Sequence, residues 1–547
     1  MRITSLCAVA LASLQLAAQQ IPHLGESIEV SIVNVDVFVT DRDGRRVHGL
    51  KKEDFEIFED GKRQPITNFA EYSGALSGAQ VEITAAKEPQ KATPRQKRTI
   101  VVFIDRFTLP QFSSEPMFSA IRSFLRQVVR PGDAVTIVSW RRQVVTRLAF
   151  TDNLEAMEHV LGAIQKESSF VSADVQTDIL AEKEFEQEMA DFAAAHHFSV
   201  AYLDDVTLTG REAAQRAKFD MRRKISAINS LIGAVSAAEG TKAVILATHR
   251  FSRIAGKEYL RGLDAQLGPK TATELEYDMS NEIESVTKTA NANNVRIYSL
   301  YPEGLGNVAI GSAELKYQAP SPVFDQLVLD NELDAMKEVS SKTGGSLAWG
   351  SKDIVQILPA IRDDFDSYYS LAYRATASGT DRSHNIAVKV KNREYTVRSR
   401  TQYVEKSDVT RMKERVVANL FGTGAGGTIP VNISLGASQP VGKGRRTVPV
   451  VVSFPSASLT TVPEKDGPAG AFSLFVGWGN ALGLVGDITH QTRSFRIPPD
   501  QLENASRVTF TYEFEILIDE KASLISVGVF DEVAKEYGLT RVELARQ

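Results

Sequence analysis

Apolar and polar residues alternate from Glu29 to Phe69, in "VSIVNVDVFVTDRDG" and "FEIFEDGKRQPITNF", with Asp43-Gly44 and Asp60-Gly61 as turn dipeptides. A period of two punctuated by Asp-Gly predicts a small N-terminal β region over 25–80. "SGALSGAQ" and "AAKEPQKATPRQKR" then read as a connector. After Arg98 the period changes. Apolar runs at Thr99–Asp105, Asp133–Trp140, Val144–Phe150, Lys242–Thr248, Val295–Tyr301 and Gly345–Trp349 alternate with helical stretches around Glu115–Val129, Asn153–Gln165, Arg211–Ala238, Thr271–Asn293 and Glu332–Lys342. Continuous apolar strands separated by helices predict an α/β domain, a doubly wound, mostly parallel sheet covered on both faces.

Past Asp353 a helix is expected to run into "YYSLAYRA", followed by the strands "HNIAVKVKN" and "EYTVRSR", which close this domain over 97–404. From 428 to 547, "TVPVVVSF", "AFSLFVGW", "RVTFTYEFEILI" and "SLISVGVF" alternate again between Gly- and Pro-bearing turns, the pattern of an antiparallel β-sandwich.

A helical insertion is expected at about 170–238. Its first half is acidic (Asp178 to Asp191) and its second half basic (Arg211 to Lys224). Met221, Ile225, Ile228, Ile232 and Val235 form an apolar seam at spacings of four and three, so the second helix needs a partner. An antiparallel helical pair, matched in charge, is the simplest solution. His196 shares a helical face with Phe185, Met189 and Phe192 and reads as an edge-of-core histidine.

Composition adds limits. The 547 residues exceed one ordinary domain, and 43% hydrophobic, 24% charged and a net charge of -5 give no bulk attraction toward nucleic acid or anionic membrane. Met1-Arg2, the apolar run Leu6 to Leu16 and Ala17-Ala18 read as a signal peptide over 1–18, too short for a stable membrane span. The expectation is an exported protein, in the periplasm, on the cell surface or secreted. The single cysteine, Cys7, lies in that run, so the mature chain would hold no disulfide, thiolate nucleophile or cysteine metal ligand.

Together, "VNVDVFVTDRDGRRVHGLKKEDFEIFEDGKRQPITNF", "RTIVVFIDRF", "LAFTDNLEAMEHVLGAI", "YYSLAYRA" and "SVGVFDEVAKEYG" resemble the von Willebrand factor A-related proteins exported by bacteria, of the acidobacterial type. The resemblance implies a von Willebrand factor A-like domain between an N-terminal β region and a C-terminal immunoglobulin-like β-sandwich, and adhesion or assembly rather than catalysis. It also implies a place for a divalent ion, built from Asp-x-Ser-x-Ser after the first strand, a loop threonine, and an Asp after the fourth strand. Magnesium there needs six oxygen ligands in near-octahedral array.

This sequence departs from that pattern. Asp105 stands alone, because Phe107 and Leu109 replace the serines; "LATHRFS" replaces Ser-Asp-Gly; a loop threonine such as Thr177 adds only one hydroxyl. The metal adhesion site is therefore read as degenerate, with no metal and no cofactor expected. In an open α/β sheet the ligand crevice lies beyond the carboxyl ends of the strands. Those ends carry Asp105, Arg106, Arg141, Arg142, His249 and Arg250, with Arg253 close behind. One expectation is that these residues bind a protein partner through an acidic side chain, since guanidinium grips carboxylate bidentately without metal. The blander and favoured one is that Asp105 pairs with an arginine while Phe107 and Leu109 fill the vacated pocket.

Catalytic spacings are absent: no Gly-x-Ser-x-Gly, no His-Glu-x-x-His, no phosphate-binding Gly-rich loop. Gly422-x-Gly424-x-x-Gly427 precedes a strand-like run and reads as a linker, while Asp204-Asp205 and Asp363-Asp364 with Asp366 read as solvated turns and helix ends. A non-enzymatic binding or assembly module is expected. The alternative is a hydrolase acting on extracellular polymer through an unrecognised site.

Overall fold

The structure, a computed structural model, describes residues 30–73, 98–109, 115–167, 200–236, 238, 240–257, 259–260, 274–302, 322–376, 380–420, 426–442, 444–480, 485–501 and 507–544. The signal-peptide expectation, the connector, Thr177, the acidic half of the insertion and His196 lie outside these residues. The chain divides into two compact units, one holding residues 28–424 with 479–485 and the other 425–478 with 486–547.

In the first unit, β1 (Val30–Thr40), β2 (Phe55–Glu59), β3 (Lys62–Gln64) and β4 (Asn68–Ser73) precede the central sheet. That sheet contains β5 (Arg98–Asp105), β6 (Ala134–Trp140), β7 (Val144–Thr151), β8 (Thr241–Ala247), β9 (Val295–Tyr301) and β10 (Leu347–Trp349). Its order is β10-β9-β8-β5-β6-β7, parallel throughout except for the antiparallel edge strand β7. The helices are α1 (Glu115–Val128), α2 (Leu154–Lys166), α3 (Val200–Ala234), α4 (Ser280–Ala292), α5 (Pro322–Lys342), α6 (Gly350–Asp366) and α7 (Asp408–Leu420).

Strand β5 shows why the apolar run is continuous. Ile100, Val102 and Ile104 face one core with Phe118, Ile121 and Leu161 of α1 and α2, whereas Val101 and Phe103 face a second with Met221, Ile225 and Ile283 of α3 and α4. Alternate side chains leave opposite faces, so both parities must be apolar when both faces are covered. The seam Met221, Ile225, Ile228, Ile232, Val235 is buried in the second core with Val101, Phe103, Val244 and Leu246. Its partner is therefore the sheet of its own domain, which corrects the expectation of a seam reserved for a second inserted helix.

The strands expected to close the central domain are β11 (Ser367–Thr376), β12 (Ser383–Val390), β13 (Thr396–Ser399) and β14 (Gln402–Val404). They pair instead with the N-terminal strands, in sheets of order β13-β1-β11-β4 and β14-β12-β2-β3. The two sheets share a core of Val35, Val37, Ile57, Leu371 and Tyr373. The parallel domain is thus spliced into a β-sandwich between β4 and β11, and α6 ends at Asp366 where β11 begins at Ser367.

A charged junction joins the two. Asp364, 1% exposed, accepts from Arg398 Nη2 at 2.6 Å and from the Tyr298 hydroxyl at 2.9 Å, and pairs with Arg46. Arg46, Arg296 and Arg398 place their guanidinium carbons 5.1, 4.9 and 4.5 Å from the Phe38 ring centre. Asp364 is not the solvated carboxylate the sequence led us to expect. Three cations share one ring face region and two carboxylates, since Arg296 pairs with Asp36.

The second unit contains β15 (Asn432–Leu435), β16 (Gln439–Gly442), β17 (Arg445–Pro455), β18 (Ala469–Gly479), β19 (Thr489–Arg496), β20 (Thr509–Asp519), β21 (Leu524–Asp531) and β22 (Tyr537–Glu543). Strand β17 pairs with β15, with β16 as a hairpin, and with the sequence-distant β20; the other sheet runs β19-β18-β21-β22. Val448, Val450, Val452 and Phe454 meet Phe472, Ile525 and Val527 between the two antiparallel sheets.

Candidate functional site

Strands β5 and β8 end side by side, and their last residues set the cleft. The Asp105 carboxylate is fully buried. Its Oδ1 accepts from the backbone amides of Phe107 and Thr108, each at 3.0 Å, because the chain turns immediately after β5 and directs those amides back at it. Its Oδ2 accepts from the hydroxyls of Thr108 at 2.6 Å and Thr248 at 2.7 Å.

The remaining partner of Oδ2 is Lys224 Nζ, at 2.6 Å. Lys224 comes from α3 and is 2% exposed. Its ammonium also donates to Thr248 Oγ1 at 3.1 Å and to the His249 carbonyl at 2.6 Å. An ammonium has three donors, and here each has an oxygen. The cation at the mouth of this sheet is therefore a lysine side chain. This corrects the expectation that Asp105 pairs with an arginine.

The donor set does not fit the magnesium ion that the family resemblance implies. It offers one carboxylate, two hydroxyls and a carbonyl, and a positive charge already rests on the carboxylate oxygen. A divalent ion beside an ammonium in a buried site is opposed by like-charge repulsion, and six oxygen ligands are not at hand among the described residues. Phe107 packs at the edge of the second core and Leu109 is buried in the first, so the two positions where serines would stand point into apolar surroundings.

Around this pair the other predicted residues are placed as follows. His249 is fully buried, stacks on Tyr301 with ring centres 4.1 Å apart and planes 12° apart, and has Nε2 2.8 Å from the Pro302 carbonyl. Burial pushes its imidazole down to about 4, against the opposing pull of the Pro302 carbonyl and Asp105. Arg250 adopts φ 52, and its backbone amide donates to Glu332 Oε2 at 2.9 Å. Glu332 is itself buried, and burial raises its pKa.

Arg106 donates to the Glu167 carbonyl at 2.9 Å, and burial lowers its pKa. Arg141, on the β6–β7 hairpin, pairs with the Glu167 carboxylate at 2.8 Å. Arg142, at φ 58 on the same hairpin, pairs with Asp220 of α3 at 2.9 Å and covers the Phe107 ring at 4.5 Å. Arg253 pairs with Glu338 of α5 at 2.5 Å. Asp105 and His249 thus meet at Lys224, while Arg106, Arg141 and Arg142 are held by groups of the same chain.

Sequence reasoning missed Lys224, Thr108, Thr248 and Glu332. A signal for the first existed. Lys224 follows Met221 by three and precedes Ile228 by four, so it falls on the apolar stripe, where a lysine is buried only with an anion waiting.

No family model matches the chain, and no curated protein matches it. Solved structures similar to it include an aerotolerance-related membrane protein from Bacteroides fragilis, at 9% identity and TM-score 0.25, covering 49% of this chain and 98% of that one. BatB from Bacteroides thetaiotaomicron is similar at 12% identity and TM-score 0.22, covering 49% and 96%. The manganese-loaded TRAP protein of Plasmodium vivax is similar at 9% identity and TM-score 0.23, covering 56% and 94%. The chain's own strand order makes the central domain a doubly wound, mostly parallel sheet with one antiparallel edge strand. Among the described residues, no helix is long and apolar enough to cross a membrane.

Proposed function

We propose that the protein is an exported, non-catalytic protein-binding or assembly module of the von Willebrand factor A type, whose cleft is organised by a lysine ammonium and works without a metal ion. The observation that carries this reading is the Lys224–Asp105 pair. A carboxylate saturated by two amides, two hydroxyls and an ammonium is neither a free base nor a nucleophile, and it has no lone pair to spare for an incoming cation. The pair holds α3 to the carboxyl ends of the strands.

In this reading Asp105 and His249 hold the cleft together, and the partner meets the rim. Arg141, with 43% of its side chain exposed, and Arg142 present guanidinium groups there. An acidic side chain of a partner binds by exchanging with Glu167 or Asp220, and Arg106 and Arg250 add positive potential behind them. The C-terminal sandwich, read as immunoglobulin-like, extends the same adhesive architecture.

The test is association of the purified full chain with its native envelope fraction, in magnesium and in EDTA. Binding that survives EDTA, and weakens on joint Arg141→Ala and Arg142→Ala substitution, supports the reading. Loss of binding in EDTA, restored by magnesium, overturns its metal-free part, and indifference to the double substitution overturns capture at the rim.

A further inference from the structure

The β-sandwich holds a second cluster, away from the cleft. Among the described residues, one group of three candidate metal ligands, Glu59, Asp60 and His384, brings its ligand atoms within 4.8 Å of one another. Glu59 ends β2, Asp60 opens the turn to β3, and His384 lies on β12, which pairs with β2. His384 Nδ1 is 2.9 Å from Asp60 Oδ2 and 3.4 Å from Glu59 Oε1.

The backbone fixes these groups. Asp60 adopts φ 46, its amide donates to the Asn385 carbonyl at 3.0 Å, and the Asn385 amide returns a bond to Asp60 Oδ1 at 2.9 Å. Oδ2 is thereby turned toward His384. The His384 ring lies 5.1 Å from Tyr403 at 19°, which sets its orientation.

Two phenols point the same way. The Tyr403 hydroxyl is 3.4 Å from Glu59 Oε1. Tyr373 is fully buried beside Glu59, and its hydroxyl has no well-formed hydrogen bond. A buried hydroxyl left unsatisfied beside a carboxylate marks a polar pocket with capacity to spare.

We propose that Glu59, Asp60 and His384 form a binding site for a divalent transition-metal ion of the zinc class. Two carboxylate oxygens and one imidazole nitrogen are a donor set that such ions accept, with a water completing the shell. Ligands about 2.0–2.2 Å from a tetrahedral ion stand roughly 3.4 Å apart. The Glu59–His384 spacing already has this value, and Asp60 needs to open by only a few tenths of an ångström. The ion would staple the β2–β3 hairpin to β12 and so tie the N-terminal strands to those that follow the central domain.

The experiment titrates the metal-free full chain with zinc, then with cobalt for its visible spectrum. One ion per chain is expected, with a cobalt band of tetrahedral intensity and a rise in melting midpoint on zinc addition. His384→Ala and, as the milder replacement should that variant not fold, Glu59→Gln weaken uptake by more than about tenfold and abolish the thermal shift. His48→Ala is the control, because among the described residues His48 meets one carboxylate, Glu71, at 3.1 Å, and should leave both unchanged. Absence of stoichiometric uptake, or uptake equal in Glu59→Gln and the unaltered chain, overturns the proposal. So does uptake that falls equally with His48→Ala.

Discussion

The Lys224 ammonium stands 2.6 Å from Asp105 Oδ2, and both side chains are withdrawn from solvent. Each charge is tolerable there only because the other is present. Charges in low dielectric are costly alone, and this pair is reinforced by Thr108, Thr248, two amides and a carbonyl.

Breaking the pair from one side should therefore be severe. Lys224→Ala leaves a buried carboxylate and is expected to cost about 3–5 kcal/mol in urea denaturation. Lys224→Met combined with Asp105→Asn removes both charges and should recover most of that loss. A double variant as unstable as the sum of its parts would show that the two residues are not coupled.

Thr248 bridges the pair, donating to Asp105 and accepting from Lys224. Thr248→Val keeps the shape and removes the hydroxyl, with an expected cost of about 1–3 kcal/mol, whereas Thr248→Ser should be mild. Equal melting midpoints for the two variants would contradict a polar role.

His249 gives a pH dependence with a definite sign. Its pKa is about 4 in the folded chain against 6.5 when exposed, so between those values the unfolded state takes up a proton that the folded state refuses. Stability should be unaffected by this group above pH 6.5, fall as the pH drops toward 4, and level off below, by on the order of 3 kcal/mol in all. His249→Phe, which preserves an aromatic stack on Tyr301, should flatten this part of the curve. An unchanged slope between pH 6.5 and 4 would assign the effect to other groups.

Asp364 holds Arg46 and Arg398 at the junction of sandwich and parallel domain. Burial brings the Arg46 guanidinium down to about 10, which leaves it charged at neutral pH. Asp364→Ala should strand both cations at a cost of about 3–5 kcal/mol, and calorimetry of residues 28–424 within the full chain should show a broadened or divided transition. A single sharp transition at the original midpoint would place the coupling elsewhere.

The parallel sheet was legible because β5, β8 and β9 carry apolar runs of both parities and are buried at every position, a pattern that follows from helices on both faces. Helix α7 was not foreseen, although Val409, Met412, Val416 and Leu420 recur at helical spacing among its charges. The pairing of β1 with β11 was equally hidden, since local alternation says that a strand exists and not which strand lies beside it. At the cleft, the sequence located Asp105 and the loss of hydroxyls at 107 and 109. It could not show that the chain turn brings Thr108 back to Asp105, nor that α3 delivers Lys224 across the sheet. Asp364 misled for the same reason: its carboxylate sits at a helix end, and only tertiary packing buries it.

The splice between β4 and β11 also sets an order of events during synthesis. Val30 finds its register partner, Thr376, more than three hundred residues downstream. Until that later segment emerges, β1 is an apolar edge with nothing beside it, while the intervening parallel domain can already condense. A nascent chain halted inside the central domain would thus carry a sticky N-terminal ribbon, and its safe passage depends on a helper that shields the ribbon or on prompt completion of the polypeptide.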